Sequence, residues 1–433
     1  MQLTFYGGAG EVGRNCIGLE DEGRSVLLDA GVNVGGEEGD IDPLLTDPQK
    51  YKEIAITHAH LDHIGYLPIM YGKQFKCRSP IYATKPTHDL MALLLADYQR
   101  LSNRFSTDDI KRVVAHCRSI KFNQIIGNSM KFSFHNAGHI IGSSLVLVHG
   151  KRRVLYTGDM NNRATRTLEP CHTGLRADTL IMESTYGSPD DKHEPLKDVS
   201  RKLMASIEDT LKRGGSVLIP SFAVGRAQEV LFMLEQHMSS GALTHVPIFV
   251  DGMILKANRI YRQNIDFAKE EVRKRVLNSG QDPFSSKHFK VPRSRMRREV
   301  FMQQAIIVST SGMLTGGPAH TYIREMASNP ANLLAFVGYQ AEGTPGRAIL
   351  DGAREVKLTD SEEELPLKIE MRVEKFDMSA HSDQAGLVQF ARTTRGLKRV
   401  FLVHGEGKKL KELADALRKY EVIIPKNGET FRV

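Results

Sequence analysis

The stretch T-H-A-H-L-D-H at residues 57–63 constrains this chain more than any other. It sets His58, His60, Asp62 and His63 side by side, directly after the apolar, β-prone run E-I-A-I-T. Neutral imidazole and carboxylate are the donors that borderline divalent metals such as zinc select. A loop leaving a strand as H-x-H-x-D-H can aim two residues at one metal and two at a second. The fold is therefore expected to open a strand end onto a metal centre.

Two metals need more ligands than this loop holds. N-A-G-H-I-I-G-S supplies His139 after the strand-like M-K-F-S-F-H. V-L-Y-T-G-D-M closes an apolar run with Asp159, and V-F-L-V-H-G-E closes another with His404. Each follows a strand and adjoins a glycine or small residue, where a scaffold sheet presents its ligands. A lone histidine of this kind is more often a hydrogen-bonded structural residue, but the loop cluster reverses that weighting. His58, His60 and His139 are expected to hold one metal and Asp62, His63 and His404 the other, with Asp159 between them.

With Asp29 in S-V-L-L-D-A-G, this set resembles the metallo-β-lactamase fold. Three further motifs resemble the β-CASP nucleases of that superfamily: Glu183 in I-M-E-S-T-Y-G, His381 in M-S-A-H-S-D and His404 in L-V-H-G-E. The likeness covers nearly the whole chain. It is greatest to the endonuclease type of the cleavage and polyadenylation specificity factor, in its short archaeal form. The resemblance implies an α/β fold: a metallo-β-lactamase αββα sandwich with an inserted α/β β-CASP domain. It also implies two Zn2+ ions, with Mn2+ as the second choice, and single-stranded RNA as substrate. Cleavage would be mainly internal, leaving 5′-phosphate and 3′-hydroxyl ends. Asp62 would hold the attacking water and accept its proton. Asp29 would hydrogen-bond a ligand histidine and fix its tautomer. His381 would protonate the leaving oxygen, with Glu183 orienting it and keeping it charged.

Several details weigh rival readings. The di-iron branch of the superfamily has glutamate where this chain has His60, which favours zinc. DNA-processing relatives have valine where this chain has His404, which favours RNA. A small-molecule hydrolase would need neither Glu183, nor His381, nor the long insertion. Inactive scaffold relatives have lost ligands that are all present here. A 5′→3′ exoribonuclease of the RNase J type is the strongest rival. The residues after His139 and Asp159, H-I-I-G-S and G-D-M-N, look instead like the processing-factor branch. The C-terminal G-E-T-F-R-V resembles a family segment that supports dimerisation, so a homodimer is expected, with RNA-processing or transcription proteins as partners.

The pattern of elements divides the chain into 1–190, 191–376 and 377–433: a lactamase domain, an inserted β-CASP domain, and a return to the first. T-H-D-L-M-A-L-L-L-A-D-Y-Q-R-L reads as a helix capped by Thr87, and T-D-D-I-K-R-V-V-A-H-C as one starting behind Thr107. D-V-S-R-K-L-M-A-S-I-E-D-T-L-K-R-G-G reads as a helix ended by glycine. Strands V-P-I-F-V-D, Q-A-I-I-V-S-T and L-L-A-F-V-G-Y then alternate with helices, as in an α/β module. No apolar run reaches the length of a membrane span. The opening M-Q-L-T-F-Y-G-G reads as a strand and not as a signal peptide. The four cysteines are widely spaced, which suggests a reducing compartment. A cytoplasmic protein is expected, and its formal charge of +8 favours a polyanionic partner.

Candidate substrate contacts lie in the insertion. I-P-S-F-A-V-G-R-A-Q-E offers Ser221, Arg226 and Gln228 at a strand-to-helix turn, where helix amides also meet anions. S-T-S-G-M-L-T-G-G-P offers Ser309, Ser311 and glycine amides, although a tight turn explains it too. G-T-P-G-R-A-I offers Arg347. The basic runs E-V-R-K-R and V-P-R-S-R-M-R-R-E suit a nucleic-acid backbone or a solvated loop equally well. The opening glycines of F-Y-G-G-A-G-E-V-G-R-N lack the G-K-[ST] of a nucleotide loop and read as a turn. His88, His116, His135, His149, His172, His193 and His288 belong to none of these motifs.

Overall fold

Strands buried on both faces need cover on both, because successive side chains point to opposite sides. In Arg399–Val403, Phe401 and Val403 enter one core while Val400 and Leu402 enter another. Thr179–Glu183 and Ser144–His149 divide in the same way, with Ile181, Val146 and Val148 on one side and Leu180, Met182, Leu145 and Leu147 on the other. This doubled burial sets the layers. The computed structural model describes residues 1–34, 36, 39–278, 282–358 and 365–433, and of 294–296 only the backbone course.

Two compact units emerge, one of Met1–Ala164, Leu168–Lys192 and His381–Val433, the other of Thr165–Thr167 and His193–Ala380. In the first unit, one seven-stranded sheet runs in the order Thr430–Arg432, Gln2–Gly7, Cys16–Asp21, Arg24–Leu28, Ile54–Ala55, Ile81–Thr84, Cys117–Ile120. A second seven-stranded sheet runs Glu421–Ile423, Arg399–Val403, Thr179–Glu183, Val154–Tyr156, Ser144–His149, Lys131–Asn136, Ile125–Ile126. Leu3, Phe5, Ile17 and Leu28 of the first sheet meet Phe132, Val146, Tyr156 and Phe401 of the second in a shared core. Helices Gln384–Thr393 and Gly407–Ala416 cover the outer face of the second sheet through Leu387, Phe390, Leu410 and Leu413. Helices Lys85–Ser102 and Thr107–His116 pack together, the former against the end strands of the first sheet. The result is the expected αββα sandwich.

The second unit is a parallel α/β layer. Its six-stranded sheet has the order Phe289–Lys290, Ile248–Asp251, Ile306–Ser309, Val217–Pro220, Leu333–Phe336, Arg372–Lys375. Val217, Ile219, Val250 and Val308 pack on one side with helices Leu196–Lys212 and Arg226–Ser239. Leu218, Phe249, Ile307 and Leu334 pack on the other with helix Pro318–Met326. Glu229 is buried and accepts hydrogen bonds from Thr165 Oγ1, Arg166 N, Thr167 N and Thr167 Oγ1, which ties that short segment into this unit.

Two caps differ from the sequence reading. The helix at Lys85–Ser102 is capped by Thr84, whose side chain accepts from Thr87 N. Pro86 explains the shift, since proline is admitted in the first turn where its missing N–H costs nothing. Ser106, not Thr107, caps Thr107–His116, in a reciprocal capping box with Asp109. Helix Leu196–Lys212 does end at glycine, with Gly214 at φ +82°. Among the described residues no helix is long and apolar enough to cross a membrane.

Candidate metal centre

The strand ends of the first unit bring together every residue of the expected ligand set. Asp29 follows Arg24–Leu28, the histidine loop follows Ile54–Ala55, and Asp159 follows Val154–Tyr156. Glu183 ends Thr179–Glu183 and His404 directly follows Arg399–Val403. The turns must be tight. A Cβ on Gly158 would lie 2.6 Å from Thr57 Oγ1, and one on Gly31 would lie 1.7 Å from the Asp62 carbonyl oxygen. Only glycine fits at either position.

Donor atoms fall into two sets that meet at Asp159. His58, His60, His139 and Asp159 form one, and Asp62, His63, His404 and Asp159 the other, each with its ligand atoms within 4.8 Å of one another. Asp159 divides its oxygens between them. Oδ2 lies 3.4 Å from His58 Nε2 and 3.5 Å from His139 Nε2, while Oδ1 lies 3.2 Å from His63 Nε2 and 3.5 Å from His404 Nε2. His60 presents Nδ1, 3.1 Å from His58 Nε2 and 3.2 Å from His139 Nε2. Asp62 Oδ2 is 3.6 Å from His63 Nε2 and 3.7 Å from His404 Nε2. Asp159 Oδ1 is buried and has no hydrogen-bond partner. A buried carboxylate oxygen in that state is costly unless a cation meets it. The donor set therefore fits divalent metal on both sides.

Supporting groups fix the imidazoles. Asp29 Oδ2 accepts from His63 Nδ1 at 2.7 Å, leaving His63 Nε2 free to face Asp159. Asp29 also accepts from Thr57 N at 2.7 Å, Thr57 Oγ1 at 2.8 Å and Tyr156 Oη at 2.9 Å. His381 Nδ1 lies 2.8 Å from Glu183 Oε2, and its Nε2 points toward Asp159 Oδ2 at 3.9 Å. Glu183 accepts in addition from Met160 N and Thr185 Oγ1. The amide of Asn15, fully buried, sits 2.6 Å from His404 Nδ1 and 3.2 Å from His63 Nε2. Thr57, Tyr156 and Asn15 escaped the sequence reading, although Thr57 opens the histidine loop and Tyr156 stands three residues before Asp159.

Electrostatics separate the two sides. Burial, aided by His63, pulls His58 down to about 3. Burial likewise lowers His60 and His139, so all three are neutral donors. His63 behaves oppositely: burial lowers it, but Asp159, Asp62 and Asp29 more than compensate and raise it well above its ordinary value. Burial also opposes charge on His381, yet Glu183 and then Asp159 lift it to about 9. The Asp159 carboxyl is pushed up by burial and pulled further down by His404, His63 and His58, ending well below the usual range.

These clusters stand at the strand ends of a two-sheet sandwich. Residues 18–185 match the metallo-beta-lactamase superfamily domain, 227–349 the Beta-Casp domain, and 366–425 the Zn-dependent metallo-hydrolase RNA specificity domain. Transcription termination factor FttA of Methanothermobacter thermautotrophicus is 37% identical over 457 residues, covering 100% of this chain and 72% of that protein. The chain belongs to the β-CASP family of metallo-β-lactamase proteins. Factors of the same name from Methanocaldococcus jannaschii (35% over 460 residues, 100% and 72% covered) and Pyrococcus abyssi (37% over 472 residues, 100% and 71%) are similar to this β-CASP chain. A crystal structure of a protein of unknown function from Enterococcus faecalis V583 shares the fold, with a TM-score of 0.59, 12% identity and 99% coverage of both chains. As a family member the protein is a metal-dependent hydrolase that binds divalent metal and RNA.

The expected substrate contacts of this β-CASP chain lie in the second unit. Ser221 and Ser309 are neighbours at the ends of paired strands, with Ser221 N donating to Ser309 O, but both are buried. Gln228 is fully buried, and its amide bonds Gly225 N, Ala223 O and Asn258 Oδ1. It caps helix Arg226–Ser239. Arg226 is buried too, Ser311 accepts from Thr315 N, and Arg347 pairs with Asp351. The basic run at 271–275 is largely neutralised, Arg273 by Asp266, Lys274 by Glu270 and Arg275 by Glu235. In the run at 291–299, Arg297 pairs with Asp251 and Arg298 with Glu325, and the Arg295 side chain lies outside the described residues. Of the histidines set aside, His135 bonds Ser133 and Asn123, His193 bonds Asp377, and His116 packs on Tyr71.

Proposed function

We propose that the chain is a zinc-dependent ribonuclease that hydrolyses single-stranded RNA, mainly internally, in 3′-end processing, transcription termination or decay. The observation that carries this reading is the divided Asp159 carboxylate beside the Glu183–His381 pair. His58, His60 and His139 would hold one ion, Asp62, His63 and His404 the second, and Asp159 both. All-nitrogen and oxygen donors suit zinc, with manganese as the alternative. Two such ions would lower the pKa of a water and neutralise charge on a phosphodiester. Asp62, partly exposed and acceptor-only, holds the attacking water and takes its proton. His381, charged and partly exposed, donates from Nε2 to the leaving oxygen. Glu183 holds His381 Nδ1 and so aims that proton. Asp29 keeps His63 in the tautomer that presents Nε2. Attack on phosphorus with departure of the 3′ oxygen, which takes the His381 proton, leaves 5′-phosphate and 3′-hydroxyl ends.

In this reading residues 191–376 are the inserted β-CASP domain between lactamase segments 1–190 and 377–433. The relatives' names support action in transcription termination, and the C-terminal likeness supports a homodimer working in the cytoplasm. A circular single-stranded RNA and a matched linear 5′-monophosphate RNA, each with and without chelator, test the activity. Chelator-sensitive nicking of the circle is expected. An intact circle beside a linear strand shortened from its 5′ end would replace this reading with 5′→3′ exonuclease action.

A further inference from the structure

We infer that a basic hollow on the first unit is a second binding site for RNA, taking the sugar–phosphate backbone well away from the metal centre. This rests on the ribonuclease reading. The hollow, of about 330 Å3, is lined by Lys73, Lys76, Arg78, Arg112 and His116 over a floor that includes Tyr71. Among the described residues no carboxylate lines it, although Arg112 pairs with Asp109 just beneath, which leaves Lys73, Lys76 and Arg78 as its unpaired cations. Lys73, Lys76 and Arg78 are exposed, and no described carboxylate lies within 4.0 Å of them. Most exposed cations elsewhere that the sequence made conspicuous are paired, as at 273–275. A concave surface of one sign focuses its field on a counter-ion, and unpaired cations are what a phosphate backbone displaces salt to reach.

Lys76 supplies an independent sign. Its φ is +52°, in the left-handed region, with its N–H bonded to Gly72 O at 2.9 Å. Glycine or asparagine would hold this turn at lower cost. A lysine kept at a strained position is explained by what its ammonium does, since its backbone is better served by another residue.

Placement follows from the topology. Strand Ile54–Ala55 runs into the metal loop, and Ile81–Thr84, parallel to it, begins just beyond the hollow. The hollow therefore opens at the opposite edge of that sheet. Helices Leu61–Ile64 and Leu67–Tyr71 join the two places, a path of roughly 15 Å at helical rise. A short RNA in the metal centre would not reach it, and a long one would.

The test compares the full chain with a triple variant, Lys73→Gln, Lys76→Asn and Arg78→Gln. Binding of a 30-nucleotide single-stranded RNA is followed by fluorescence anisotropy across salt concentrations, in EDTA so that nothing is cut. Each lost phosphate contact should flatten the log–log salt slope by about 0.7, so a total change of roughly 2 is expected. Cleavage of a short RNA should be unchanged. Lys76→Asn alone should weaken long-RNA binding while keeping or raising the melting temperature. An unaltered slope, a fall in melting temperature for Lys76→Asn, or inorganic phosphate competing as well as RNA at equal phosphate concentration would each overturn the site. Should the unmodified chain bind no RNA at all, the ribonuclease reading itself would fall, and the two failures are thereby told apart.

Discussion

Asp29→Asn is the sharpest perturbation of the centre. The carboxylate is fully buried and accepts four hydrogen bonds, from Thr57 N, Thr57 Oγ1, His63 Nδ1 and Tyr156 Oη. An amide has one oxygen. Turned one way, its NH2 group meets three donors; turned the other, it meets only Thr57 N. The second arrangement is cheaper, and its single donor–donor contact costs about 1–3 kcal/mol. The three bonds that survive lose their ionised acceptor, about 1 kcal/mol each if charge-assisted bonds are twice as strong as neutral ones. The sum is on the order of 4–6 kcal/mol, shared between the fold and the hold on His63. Loss of such an outer partner typically lowers metal affinity about 10–100-fold. Titration against a chromophoric zinc chelator should therefore show one site weakened by that factor. The site of His58, His60 and His139 should weaken less, because Asp29 reaches only His58 of those rings, and only through Thr57 Oγ1, 3.1 Å from His58 Nδ1. Circular dichroism at low temperature should be unchanged. Two sites of unaltered affinity, or two weakened equally, would refute the argument that Asp29 acts through His63.

Glu183→Gln should drop kcat and shift its alkaline limb to lower pH, because Glu183 is the largest influence raising His381 to about 9; a profile with an unmoved limb would remove His381 as the acid. His381→Ala should lower kcat by about 10²–10⁴ with little change in metal content, measured on the same RNA. The metal-free chain should be most stable near neutrality. His58, held at about 3, is neutral in the fold while the unfolded chain takes up protons, so stability falls as pH drops below about 6.5. His381 has a raised value, so its stabilisation is present below about 6.5 and is lost as pH rises through about 9, and His63, also raised, acts in the same direction. Thermal melts across pH 4–10 with chelator check both limbs, and a flat profile would contradict the assigned charges. Gly31→Ala should abolish metal binding and cost solubility, since its Cβ would collide with the Asp62 carbonyl; normal zinc content in that variant would show the loop can move aside.

What the sequence disclosed followed chemical rarity. His58, His60, Asp62 and His63 stand out because few other patterns place so many donors together, and His139, Asp159 and His404 because each ends an apolar run. The alternating burial of Arg399–Val403 was legible as an unbroken apolar run, as strands covered on both faces are. Thr57, Tyr156 and Asn15 were hidden for the opposite reason. They are ordinary residues whose importance depends on two sheets meeting, with Tyr156 reaching Asp29 across the sandwich. The capping role of Gln228 was not legible, because an amide that caps a helix and one that greets a phosphate look alike in sequence. The neutralisation of the charged runs was hidden too, for pairing partners such as Glu235 lie far off along the chain.

The order in which the ligands occur along the chain carries a consequence for synthesis. The His58, His60, His139 and Asp159 set is complete once residue 159 has been made, whereas the set sharing Asp159 on its other oxygen waits for His404. Until Arg399–Val403 docks beside Thr179–Glu183, that inner strand is an open edge. A nascent chain released early would thus carry one place for a cation and no means of cutting. On the proposed reading, the two-metal centre would be complete only when the last strands close the sheet, so a chain cut short before His404 should bind metal at one place and cleave no RNA.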